Sequence, residues 1–217
     1  MLIVHILGCG LPVTQLFCRL DLNFTSSSAL KSFLPDFEVP DSTPFTIAVP
    51  STHSVRLSRN GVPSPVRLPI LRAERTALLV SSTSWTADED FELLLEALEI
   101  YNRVASAKGG EKGLPRVLVM ITGKGPLKDM YMGKIQRLQH AWDFVRCISV
   151  WLDAADYPLL LGSFFISQTV CMLTSRNTGS ADVGICLHSS SSALDLPMKI
   201  VDMFGCGLPV CALGFAW

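Results

Sequence analysis

Lys199 and Asp202, two charged side chains set three residues apart, carry the most readable chemistry in this sequence. Residues at that spacing share one face of a helix. Close to a helix N-terminus, free backbone amides and the dipole favour an anion. A lysine placed there offers a point charge to a diphosphate, and a carboxylate accepts from vicinal ribose hydroxyls. The flanking residues supply the setting. Pro197 suits a first helical turn, so a helix is expected over 197–204. Gly205 and Gly207 should end it and turn the chain into Leu208-Pro-Val-Cys-Ala, a short buried strand. A lone Lys-x-x-Asp also describes an ordinary solvated helix face; the proline, the glycines and the Leu-Pro-Val run favour the nucleotide reading.

Two further groups join this candidate donor site. Gly123-Lys124-Gly125-Pro126 follows an apolar run, and Lys124 there could reach a phosphate, although a plain tight turn accounts for the same residues. His188 reads either as a polar contact to a sugar or as a satisfied histidine near the core. No residue is assigned a catalytic role, and no metal site is expected.

These residues need a frame, and from about residue 77 strands and helices alternate. Strands are expected at 77–82, 117–122, 145–150, 182–187 and 208–212. Thr86-Ala-Asp-Glu89 reads as a capping box before a helix that buries Phe91, Leu94, Leu95 and Leu98. Further helices are expected up to about His140 and over 156–161. The fold class is α/β, a Rossmann-like parallel sheet. If the strand order is Rossmann-like, the carboxyl ends of the first and fourth strands, near 81–85 and 188–192, flank the ligand crevice.

Residues 1–75 read differently. Pro35, Pro40, Pro44, Pro50, Pro63, Pro65 and Pro69 interrupt any long element, so this part is expected to be an irregular, loosely ordered N-terminal segment beside a donor-binding domain at 76–217. Residues 1–13 nevertheless align without gaps on 198–210, with Leu2 in place of Lys199 and His5 in place of Asp202. The first copy repeats the scaffold without its polar groups. The stretch 1–17 lacks a basic leader and carries Gly8, Gly10 and Pro12, which suits neither a signal peptide nor a membrane span.

Composition narrows the class further. Eighteen basic and 19 acidic residues leave a net charge of −1, so nothing points to nucleic acid or anionic lipid. Seven scattered cysteines without Cys-x-x-Cys spacing read as reduced core thiols in a cytoplasmic setting.

The run Leu79-Val-Ser-Ser-Thr-Ser-Trp85, the turn Ile121-Thr-Gly-Lys-Gly-Pro126, Trp151-Leu152 with Asp156-Tyr-Pro158, and Leu194-Asp-Leu-Pro-Met-Lys-Ile-Val-Asp-Met-Phe-Gly205 together resemble the chitobiosyldiphosphodolichol β-mannosyltransferases. The resemblance covers 77–162 and 180–214. It implies the nucleotide-binding half of a two-domain GT-B glycosyltransferase, a hexosyltransferase working on a GDP-mannose donor and a dolichyl-linked acceptor. The setting it implies is the cytosolic face of the endoplasmic reticulum, with no bound metal or other cofactor. Under it, Lys199 meets donor phosphate, Asp202 meets the ribose, and Gly123 and Gly125 line the cleft. Three departures accompany it. Residues 1–75 show no counterpart of the family's acceptor domain or anchor, residues 163–179 interrupt an otherwise continuous match, and the sequence stops at Trp217 with the donor half incomplete. A glycosyltransferase that is inactive alone is therefore expected of this chain. The alternatives are a non-catalytic module that binds nucleotide or associates with a full-length homologue through its sheet edge, or an unstable product.

Overall fold

The computed structural model describes residues 46–57, 63–72, 75–107, 114–152, 157–161, 181–189 and 197–214. The first copy of the internal repeat and the interruption at 163–179 lie outside them.

A five-stranded parallel sheet organises the chain from residue 77 onward. Its strands are β3 (Ala77–Ser82), β4 (Val117–Thr122), β5 (Val145–Val150), β6 (Val183–Cys186) and β7 (Val210–Ala212), ordered β5-β4-β3-β6-β7. Helices α1 (Phe91–Ala107), α2 (Lys128–Gln139), α3 (Tyr157–Leu161) and α4 (Met198–Gly205) fall between them. The expected α/β class and Rossmann-like order are what the sheet shows: the chain builds outward from β3 to β5, then returns to the other side of β3. That reversal sets the switch point between β3 and β6.

Alternation along the strands divides the core into two layers. Leu78, Val80, Leu118 and Met120 face one side, where Leu160 and Leu161 of α3 and Met203 of α4 cover them. Val117, Val119 and Ile121 face the other, beneath Phe91, Leu94, Leu95 and Leu98 of α1 and Tyr131 and Ile135 of α2. Every residue of β4 is buried, as a central parallel strand covered on both faces requires.

Polar clips fix the ends of these elements. Asn102 Oδ1 accepts from the amides of Asp143 (3.0 Å) and Phe144 (2.9 Å), tying α1 to the turn before β5. Arg75 forms a two-pronged pair with the carboxylate of Asp182, which also accepts from the Leu78 amide at 2.8 Å. That pairing holds the Arg75 guanidinium above its ordinary range. Ala181 N donates to Leu160 O at 3.1 Å, so the chain resumes toward β6 beside the end of α3.

The end of α4 follows from one glycine. Gly207 has φ +71, Leu208 N donates to Met203 O and Gly207 N to Phe204 O, both at 2.9 Å. This is the paired bonding of a Schellman cap. A Cβ on Gly184 in β6 would stand 2.5 Å from Met203 Sδ and 3.2 Å from Leu208 Cδ2, so that glycine seats the capped helix end on the sheet.

Two expectations need correction. Residues 46–57 and 63–71 hold regular structure: β1 (Thr46–Leu57) and β2 (Pro63–Leu71) pair antiparallel, with a register shift between Pro50 and Val55. In a two-stranded ladder each strand has a free edge, where the missing proline amides do no harm. Thr86–Glu89 is a turn and not a capping box. Glu89 N donates to Thr86 O at 3.1 Å, and the helix begins later with Asp90 Oδ1 accepting from Leu93 N at 3.2 Å. Glu89 is drawn away from the helix by other donors, described below.

Candidate functional site

The carboxyl ends of β3, β4 and β6 and the first turn of α4 meet at the switch point. On the β3 side the backbone folds back on itself after Ser82. Thr83 N donates to Thr122 O (2.9 Å), Trp85 N donates to Thr83 Oγ1 (2.8 Å), and Leu127 N donates to Trp85 O (3.0 Å). Trp85 sits at φ +51, an unusual position for a bulky residue, and its side chain is fully buried. Stacking on Phe91 at a centroid distance of 4.6 Å and an indole hydrogen bond to Gly123 O at 3.3 Å hold it there.

The close approach of this turn to the next explains Gly123 and Gly125. A Cβ on Gly123, which has φ +127, would lie 1.8 Å from Thr83 O. One on Gly125 would lie 1.7 Å from Ser84 O. Only glycine lets the two βα turns touch. The Gly-x-Gly run is thus required by packing. Between the glycines, Lys124 is exposed, with its ammonium 3.9 Å above the ring centroid of Trp151, which follows β5 and is itself exposed.

On the β6 side the chain is stitched to the 86–90 turn. Asp90 N donates to Leu187 O (3.3 Å), Ser189 N donates to Asp88 O (2.8 Å), and His188 Nδ1 lies 2.9 Å from Asp88 Oδ2. Hydrogen bonds from Thr86, and then from the His188 ring, hold the Asp88 carboxyl below its ordinary range. His188 is therefore a half-buried ring oriented by Asp88.

Glu89 joins the two sides. Its carboxylate is almost fully buried, and Oε2 accepts from the Thr83 hydroxyl and from the amides of Ser84 (2.9 Å) and Trp85 (3.1 Å). Oε1 accepts from the ammonium of Lys199, in the first turn of α4. Lys199 keeps 28% of its side chain exposed.

Among the residues expected to form a donor site, the structure places Gly123, Lys124, Gly125, His188 and Lys199 at this carboxyl edge. Asp202 is exposed on α4 and acts electrostatically on Tyr157 and Cys206, while Lys199 turns to Glu89. Burial raises the Tyr157 hydroxyl above its ordinary range, against the opposing effect of its hydrogen bond with Ser82. The reading from sequence missed Glu89, which the capping-box spacing had claimed, and gave no role to Trp85 or Asp88 beyond the motif and the helix end.

An apolar hollow lies elsewhere. A groove of about 750 Å³ between α1 and β6–β7 is lined by Leu94, Leu98, Tyr101, Ile185, Cys211 and Leu213 among others. It presents little for a charged ligand to bond. The crevice between β3 and β6 carries the charged and polar groups.

No family model matches the sequence. Relatives do. The chain is 53% identical over 143 residues to the chitobiosyldiphosphodolichol beta-mannosyltransferase of Mus musculus, covering 65% of this chain and 25% of the relative. Against the Homo sapiens protein of the same name it is 50% identical over 142 residues, covering 65% and 26%. Over these residues the chain is homologous to the chitobiosyldiphosphodolichol beta-mannosyltransferases. The UDP-glycosyltransferase TURAN of Arabidopsis thaliana is 49% identical over 156 residues, covering 67% of this chain and 30% of the relative. The chain thus spans between a quarter and a third of the length of these curated relatives. Among solved structures, the pneumococcal O-GlcNAc transferase GtfA superimposes on 64% of this chain and 21% of its own at TM-score 0.41 and 11% identity, too loosely to bear on the fold. No helix among the described residues is long and apolar enough to cross a membrane.

Proposed function

We propose that residues 76–217 form the donor-binding half of a GT-B glycosyltransferase, and that the crevice between β3 and β6 takes the diphosphate of GDP-mannose. The observation that carries this reading is the Lys199 ammonium, held in the first turn of α4 at the switch point of a parallel sheet whose sequence is homologous to mannosyltransferases. An ammonium and a helix N-terminus at one place favour a diphosphate on both charge and hydrogen bonding. Asp202, exposed one turn further along α4, is assigned to the ribose hydroxyls, and His188, oriented by Asp88, to the sugar. Lys124 supplies a second cation once it leaves the Trp151 ring.

The acceptor proposed with this donor is a dolichyl-diphosphate-linked chitobiose at the cytosolic face of the endoplasmic reticulum, a reading that the names of the relatives support. Transfer needs donor and acceptor held between two walls, and such positioning contributes about 7–11 kcal/mol to a bimolecular step. The matched segment supplies the donor wall. Purified chain is therefore expected to bind GDP-mannose without turning it over.

Thermal unfolding with GDP, GDP-mannose and UDP-glucose tests this. GDP and GDP-mannose should raise Tm in proportion to the logarithm of ligand concentration, and UDP-glucose should do so less. Lys199→Ala should weaken GDP binding by about thirtyfold, the worth of a charge-assisted hydrogen bond, and leave a smaller shift, and Asp202→Asn should weaken it by roughly fivefold, the worth of one neutral hydrogen bond. A transition indifferent to millimolar GDP in the wild-type chain overturns the proposal.

A further inference from the structure

Glu89 is the only charged side chain in the buried core among the described residues. A buried carboxylate is costly unless hydrogen-bonded and paired, and replacing a whole buried pair by apolar residues often serves stability as well. Four donors converge on this one: the Thr83 hydroxyl, the Ser84 and Trp85 amides, and the Lys199 ammonium. Three belong to the loop that leaves β3, and the fourth to α4 across the crevice. Removing the carboxylate would uncouple the two walls.

Resting on the nucleotide reading above, we propose that Glu89 is a positioning residue for the diphosphate site, holding Lys199 at the crevice while it fixes the opposite loop. A lysine ammonium has three N–H donors. One is given to Glu89, which leaves two for phosphate oxygens at a side chain that stays partly exposed. Unrestrained, the four-carbon stem of Lys199 would lose its rotamer freedom each time it gripped a ligand; paired with Glu89, it has lost most of it beforehand. The contribution of Glu89 to binding therefore passes through Lys199.

A double-mutant cycle on the full chain decides this, with GDP and inorganic diphosphate as titrants in calorimetry and Tm recorded for each variant. Glu89→Gln is expected to weaken both ligands about tenfold in the wild-type background and to have no further effect in the Lys199→Ala background. Its effect on Tm should persist in both backgrounds, because the Thr83–Trp85 contacts do not depend on the lysine. Unchanged affinity in Glu89→Gln, or the same loss with and without Lys199, overturns the proposal and leaves Glu89 a structural group. If Glu89→Gln does not fold, Glu89→Asp keeps the charge but withdraws it by one methylene, and the same cycle is read with that variant. Failure of the wild-type chain to bind either ligand is a different outcome: it overturns the nucleotide site itself.

Discussion

The two halves of the crevice are built from different materials. On the β3–β4 side the turns touch through backbone, with Gly123 and Gly125 against the Thr83 and Ser84 carbonyls and Trp85 fully buried between them. On the β6–α4 side the contacts are charged or partly exposed, namely Glu89 with Lys199 and Asp88 with His188. The first half has no room to adjust; the second can exchange partners. The proposed diphosphate site would divide its work in this way, with rigid packing as the frame and paired charges as the grip.

Substitution in the frame should give the largest effect. Gly125→Val would drive a side chain into a backbone carbonyl, and a loss beyond about 4 kcal/mol is expected. Urea unfolding reads it directly; a loss under about 1 kcal/mol would mean that the two turns separate freely and the contrast is false.

In the grip, Lys199→Ala leaves Glu89 with its three other donors. A stability cost of about 1–3 kcal/mol is expected, below that of the glycine variant. Equal costs would show that the charged half is part of the frame.

The smallest effect concerns acid. The folded Asp88 carboxyl is held below its ordinary range, so its contribution is complete above about pH 3.9 and is lost as pH falls further. Because the group is largely exposed, screening keeps that contribution small. Tm measured from pH 5 to pH 3 should fall slightly less steeply in Asp88→Asn than in the wild-type chain. A steeper fall in the variant would remove Asp88 from the acid response.

The same division explains what could be read without coordinates. β3, β4 and β5 are apolar runs of the right length, and the structure begins and ends them where the runs do. Gly123 and Gly125 read locally as a turn, but the carbonyls they meet lie some 40 residues earlier, and nothing local announces that contact. Glu89 was legible only as the fourth residue of Thr-x-x-Glu, a spacing that suits a helix start; its partner Lys199 is 110 positions away. The hairpin at 46–71 was hidden by its own prolines, which argue against a strand in the middle of a sheet and say little about one with a free edge. Local pattern reports the elements, whereas long-range donors decide which side chain does what.

The bond from Ala181 N to Leu160 O gives the fold a port. Where the chain leaves α3 and where it resumes toward β6 are already neighbours, so whatever connects them does not set the path of the sheet. Lengthening a connection between fixed ends costs only about 0.6 kcal/mol per doubling. A fluorescent domain spliced in here, or new chain termini opened here by circular permutation, would leave β3 to β7 in register and the crevice assembled at the far edge.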